Sequence, residues 1–233
     1  MSSRLPLLLV PGLLCDHALW QHQVAFLQDM AQCRITNTTH HDRIDALARD
    51  VLAHAPRQFA LAGLSMGGYV ALEIMRQAPD RVLRLCLLDT SARADTEAQQ
   101  ERRRLLLAMS KSGQFKGVTP RLLPMLIHPD RTDDIALTDI ITSMAERVGR
   151  DAFQKQQTAI LHRIDSRPYL RNIHCPVQVL GGEQDAITPP DILREIAEGI
   201  PNARLDMIPD CGHLSPLEQP ETVNRLMKRW LAA

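Results

Sequence analysis

A chain of 233 residues, 45% of them apolar, can bury one sizeable core and gives no reason to divide it between two. Its 27 basic and 27 acidic residues cancel, so no global field recommends nucleic acid, an acidic membrane surface or a strongly charged partner. The five cysteines, Cys15, Cys33, Cys86, Cys175 and Cys211, are odd in number, far apart and without C-x-x-C pairs, which suits reduced thiols of a cytoplasmic protein better than a disulfide framework or a zinc site.

In chain order, the first apolar run, Leu5 to Val10, ends in Pro11-Gly12 with no A-x-A-like cleavage site, so it reads as a buried strand rather than a signal peptide. Similar short runs follow at Cys33 to Asn37, Phe59 to Gly63, Val82 to Leu88, Val177 to Gly181 and Arg204 to Ile208. Helix-period segments alternate with them: Trp20 to Met30, Ile44 to His54, Met66 to Gln77, Asp191 to Gly199 and Thr222 to Leu231. The alternation predicts an α/β fold whose sheet is parallel and covered on both faces. No run approaches the ~20 apolar residues of a membrane helix.

From Ser91 to Tyr169 the rhythm changes. "TEAQQERRRLLLAMSKSG", "TPRLLPMLIH", "DDIALTDIITSMAERVG" and "DAFQKQQTAILHRI" read as helices separated by Gly, Pro and Asp signals, with no convincing strand. The predicted organisation is a core of residues 1–90 and 170–233 carrying a helical insertion at 91–169.

The chemistry gathers at three strand ends. Gly63-Leu64-Ser65-Met66-Gly67 matches G-x-S-x-G, a tight strand-to-helix turn in which glycines remove collisions and the serine oxygen is exposed. A serine hydroxyl needs a base, and His213 in "IPDCGHLSPLEQPE" can take its proton near neutral pH. Asp185 in "VQVLGGEQDAITPP" can fix the imidazole tautomer. Asp89, ending the run "LCLLDTS", is a second possible acid. The oxyanion of a tetrahedral intermediate requires amide donors; Met66, after the nucleophile, and Leu13, in the loop after the first strand, are positioned in sequence to supply them. No phosphate-binding glycine loop, nucleotide fingerprint or metal cluster accompanies these residues, so no cofactor is expected.

Together these stretches resemble the α/β-hydrolase family, in particular its small bacterial esterase-like members. "GLSMGGYVALEIMRQAPDRVLRLCLLDT" is similar to the family's nucleophile elbow, helix and next strand, "LGGEQDAITPP" to its acid loop, and "DCGHLSPLEQPETVNRLMKRWL" to its histidine loop and last helix. "PGLLCDHALW" is similar to the oxyanion loop, with Pro11 where the family usually has histidine. The resemblance implies an α/β-hydrolase fold trimmed to about six mostly parallel strands, with Ser65, Asp185 and His213 as catalytic triad, Leu13 and Met66 as oxyanion hole, and residues 91–169 as a cap over the site. Leu105, Leu106, Met109, Leu122, Leu123, Met125, Leu126 and Met144 could then supply an apolar wall. In "RIDSR", Arg163 to Arg167, an arginine could hold a substrate carboxylate or pair with Asp165 to fix the cap hinge.

The expected activity is hydrolysis of a small carboxylic ester, thioester or lactone through an acyl-enzyme. Two alternatives share the fold: carbon-carbon bond hydrolysis or pyruvate elimination with the same triad, and a hydrolase-like binding protein without catalysis.

Overall fold

A computed structural model describes residues 4–113 and 115–233. The strands β1 (Leu5–Val10), β2 (Ala31–Ile35), β3 (Phe59–Leu64), β4 (Val82–Leu88), β5 (Val177–Gly182) and β6 (Arg204–Ile208) form one sheet in the order β2-β1-β3-β4-β5-β6, with every pairing parallel. Successive residues of the inner strands point to opposite faces, and both faces are buried. Leu8, Val10, Leu61, Leu85, Leu87 and Val179 pack on one side with α2 (Ile44–His54), α3 (Met66–Gln77) and α7 (Pro190–Gly199). Leu7, Leu9, Ala62, Leu64, Cys86 and Leu88 pack on the other with α1 (Gln21–Leu27) and α9 (Pro220–Ala232). This double burial is why the inner strands read as unbroken apolar runs.

The edge strand differs from expectation: β2 begins two residues before the predicted Cys33. It pairs on one side only, Leu5 opposite Ala31, and alternates between covered and exposed residues, so apolar content marks its ends poorly. The predicted helix from Trp20 is also shortened. A 3-10 turn at His17–Trp20 precedes α1, held by the Asp16 carboxylate accepting from the Ala18 amide at 2.9 Å.

Between β4 and β5 the described residues contain no strand. The insertion holds α4 (Glu97–Ser112), α5 (Leu123–Leu126) and α6 (Ile135–Leu161). Thr96 and Gln99 form a reciprocal cap at the start of α4. Gly149, with φ of 76°, breaks α6 where the sequence separates two helices. The two legs of the insertion are stapled together: the Ser166 amide donates to the Ala92 carbonyl at 2.8 Å, and Arg163 donates to the buried Asp95 carboxylate at 2.7 Å. Arg167 pairs with Asp165 at 2.5 Å, one of the two pairings that "RIDSR" offered. Among the described residues no helix is long and apolar enough to cross a membrane, and all five cysteines are free.

The chain steps from β1 outward to β2 and returns to the other side of β1 as β3. Such a reversal opens a crevice at the carboxyl ends of β1 and β3, where open α/β sheets place their sites. Ser65 follows β3 and the loop of Leu13 follows β1.

Candidate active site

The turn after β3 is built by close approach. A Cβ on Gly63 would lie 2.3 Å from the Gly67 carbonyl oxygen, and one on Gly67 would lie 2.1 Å from that of Val10, so no other residue fits either position without backbone movement. Ser65, between them, has φ of 54° and ψ of −115°, a conformation costing a non-glycine residue on the order of 1–3 kcal/mol. Neighbours impose it: the Ser65 amide donates to Leu88 O at 3.0 Å, and Thr90 Oγ1 donates to Ser65 O at 2.7 Å. The side chain emerges at the amino end of α3, whose residues Met66 to Met75 are all buried.

Ser65 Oγ lies 2.9 Å from His213 Nε2, and His213 Nδ1 lies 2.8 Å from Asp185 Oδ2. Three residues from separate strand ends, Ser65 and His213 lying 148 positions apart, thus meet in one line of hydrogen bonds. Asp185 is heavily bonded: Oδ1 accepts from the amides of Ile187 and Thr188 at 2.8 and 2.9 Å, and Oδ2 accepts from Thr188 Oγ1 at 2.5 Å. Burial works against the Asp185 carboxylate, but the adjoining imidazole and these donors outweigh it and hold its pKa below 3.8. Burial likewise opposes a charged His213, yet the negative charge of Asp185 and the bond to it win, and the imidazole pKa is raised above 6.5.

Asp89, the other possible acid, is fully buried but makes no hydrogen bond to His213 among the described residues; it accepts from the Gly182 amide at 3.0 Å and from Ser215 Oγ. Burial first, and the nearby Asp185 charge second, push its carboxyl well above 3.8. Its bonds tie the end of β4 to β5 and to α8 (Ser215–Glu218).

The loop after β1 reaches the elbow. A Cβ on Gly12 would stand 3.4 Å from that of Ser65, so the adjoining Leu13 amide belongs to a loop packed against the serine. Met66 opens α3 directly after Ser65.

Two residues not singled out in the sequence organise these loops. Glu218, buried in α8, accepts from the amides of Gly212 and Leu214 on either side of His213, and from the His128 amide of the insertion at 2.7 Å. Gln156 on α6 accepts from the Leu14 amide at 3.1 Å. The insertion also meets the histidine loop directly, because the His213 and Leu214 amides both donate to Leu126 O. Its apolar residues divide. Leu123 and Met144 are buried in the core that backs the sheet, whereas Leu105 and Met109 are 60% exposed, which removes that pair from any closed pocket wall.

A parallel doubly covered sheet, a strained serine on a glycine-flanked turn and a buried histidine-aspartate pair define an α/β-hydrolase architecture. Residues 7–226 match the family model described as alpha/beta hydrolase family, and the chain belongs to that family as an α/β-hydrolase enzyme. Among individual relatives, it is 33% identical over 178 residues to a protein of Mycobacterium tuberculosis provisionally named non-heme bromoperoxidase BpoC, covering 74% of this chain and 68% of the relative. It is 27% identical to the pimeloyl-[acyl-carrier protein] methyl ester esterase of Nitrosomonas europaea, over 77% of this chain and 74% of that one. The solved structure of a thermophilic esterase from Thermogutta terrifontis superposes with a TM-score of 0.89 at 30% identity, covering 99% of this chain and 90% of the esterase.

Proposed function

We propose that the chain is a serine carboxylesterase that cleaves a small carboxylic ester, or a related thioester or lactone, through an acyl-enzyme. The observation that carries this reading is the 2.9 and 2.8 Å relay from Ser65 through His213 to Asp185. Ser65 Oγ attacks the carbonyl carbon while His213 Nε2 takes its proton, and the new oxyanion receives the Leu13 and Met66 amides. Collapse breaks the carbon–oxygen bond as His213 returns the proton to the leaving alcohol. Water then attacks the acyl-enzyme by the same route and releases the acid and free Ser65. Asp185 stays ionised throughout, orienting the Nδ1–H tautomer and stabilising the imidazolium. The helices of residues 91–169 act as the cap, and the site needs no cofactor.

The ester reading gains support from relatives, which include an esterase and a methyl ester esterase. The arginines of "RIDSR" favour it over carbon-carbon hydrolysis of a carboxylated substrate: Arg163 is paired with Asp95 and Arg167 with Asp165, so the charge of each is already matched by a carboxylate of this chain. The test is exposure to a serine-directed fluorophosphonate followed by peptide mass analysis, alongside a screen of aryl esters, thioesters and lactones. Stoichiometric label on the peptide containing Ser65 is expected; no label, or label elsewhere, would overturn the assignment.

The raised His213 pKa sets the pH dependence. Only neutral imidazole accepts the serine proton, so kcat/KM should rise with pH through a midpoint above the ordinary 6.5, and a profile centred at or below that value would contradict it. For stability the sign is opposite: the charged imidazolium beside Asp185 stabilises the fold fully below pH 6.5, and that contribution fades as pH rises through the raised value.

A further inference from the structure

We propose that Gln156 is a positioning residue that holds the loop after β1 in the geometry an oxyanion requires, an inference that rests on the Leu13 amide being an oxyanion donor. Leu14 has φ of 58°, a left-handed backbone that a leucine adopts only when its surroundings impose it. The residue is 8% exposed and packs with Ala145 and Phe153, both on α6. Its N–H, in buried surroundings, donates to Gln156 Oε1 at 3.1 Å. At the other end of the same amide, Nε2 donates to the Thr38 carbonyl and hydroxyl oxygens at 3.3 and 3.2 Å. The orientation is fixed by chemistry, since the Leu14 N–H can only donate and the Thr38 carbonyl can only accept. Gln156 is 0% exposed, so water cannot replace these bonds.

The peptide planes on both sides of Leu13 are thereby set. The plane that carries the Leu13 N–H ends in Gly12 O, which accepts from the Cys15 amide at 3.2 Å; in a trans peptide the N–H points away from that oxygen. The next plane carries the Leu14 N–H and is held by Gln156. A further bolt lies just beyond, where Arg147 of α6 donates two bonds, 2.7 and 3.1 Å, to Asp16. The insertion therefore does more than cover the site: through Gln156 it aims the oxyanion loop. Loosening that plane should weaken a charge that exists only in the tetrahedral state and leave binding of the planar substrate alone.

The experiment compares the wild-type chain with Gln156→Met, which keeps volume but offers the Leu14 N–H only a weak thioether acceptor. Steady-state kinetics on 4-nitrophenyl butyrate are measured beside inhibition by an alkyl trifluoromethyl ketone, whose serine adduct carries the oxyanion, and by the matching amide, which stays planar. Expected are losses of about tenfold to a hundredfold in kcat and in trifluoromethyl ketone affinity together, with KM and amide affinity within about threefold. Gln156→Asn, one methylene too short to reach the Leu14 N–H, keeps a buried amide; it should show the same pattern at several-fold size and serves should the methionine variant not fold. A folded variant that keeps kcat and ketone affinity within twofold, or loses ketone and amide affinity equally, overturns the inference. Wild-type enzyme that takes no fluorophosphonate at Ser65 would instead remove the serine mechanism itself, and this inference with it.

Discussion

Ser65→Ala is expected to lower kcat for an activated aryl ester by about 10⁴-fold or more, with the thermal midpoint little changed. The size follows from what remains. Without the hydroxyl, His213 has no nucleophile to deprotonate except water, and only oxyanion stabilisation and substrate positioning survive. The small effect on folding follows from the contacts: among the described residues the Ser65 hydroxyl is hydrogen-bonded only to His213, while its backbone is held by Leu88, Thr90 and the first turn of α3, none of which depends on the hydroxyl. Kinetics with thermal unfolding of the same preparations check both halves. Activity within tenfold of wild type, in a variant that also keeps fluorophosphonate labelling, would remove Ser65 from the mechanism.

The parts of the fold legible in sequence are those governed by local chemistry. Leu5–Val10, Val82–Leu88 and Arg204–Ile208 are strands over the span their apolar and turn residues mark, and Gly63 and Gly67 occupy positions where a side chain would meet backbone. Ser65, Asp185 and His213 were readable because each follows a strand, and the shared end of a parallel sheet brings such loops together. β2 lies two residues before its expected span because an edge strand paired on one side carries a weaker apolar signature.

Gln156 and Glu218 were illegible for a different reason. A glutamine inside a helix and a glutamate ending the short α8 carry no local signal, since Gln156 meets Leu14 across 142 positions and Glu218 meets His128 across 90, and the nearer Gly212 and Leu214 amides turn toward Glu218 only in the folded histidine loop. A leucine with positive φ at position 14 is equally silent, because the residue type argues against the conformation that the tertiary structure imposes. What links these positions is one demand. Buried amides of these loops cannot reach water, and long polar side chains from neighbouring elements satisfy them. Such residues become visible only when loops distant in sequence are placed side by side.

The second large effect separates the two acids. Asp185→Asn should lower kcat by about 10⁴-fold at neutral pH, whereas Asp89→Asn should cost less than about tenfold. Oδ1 of Asp185 faces two amide donors, from Ile187 and Thr188, so an asparagine there must place its oxygen on that side. Its NH2 then takes the place of Oδ2 and donates toward His213 Nδ1, which must accept; the imidazole proton moves to Nε2 and faces Ser65 Oγ, where a base is needed. Thr188 Oγ1 loses its acceptor as well. At Asp89 the same replacement is mild. The oxygen can still accept from the Gly182 amide, and the Ser215 hydroxyl can rotate to accept from the new NH2. Burial already disfavours a charge there, which further reduces the cost of a neutral side chain. Pre-steady-state acylation with an activated ester measures the difference directly. A thousandfold loss in Asp89→Asn beside intact acylation in Asp185→Asn would transfer the acid's role to the end of β4.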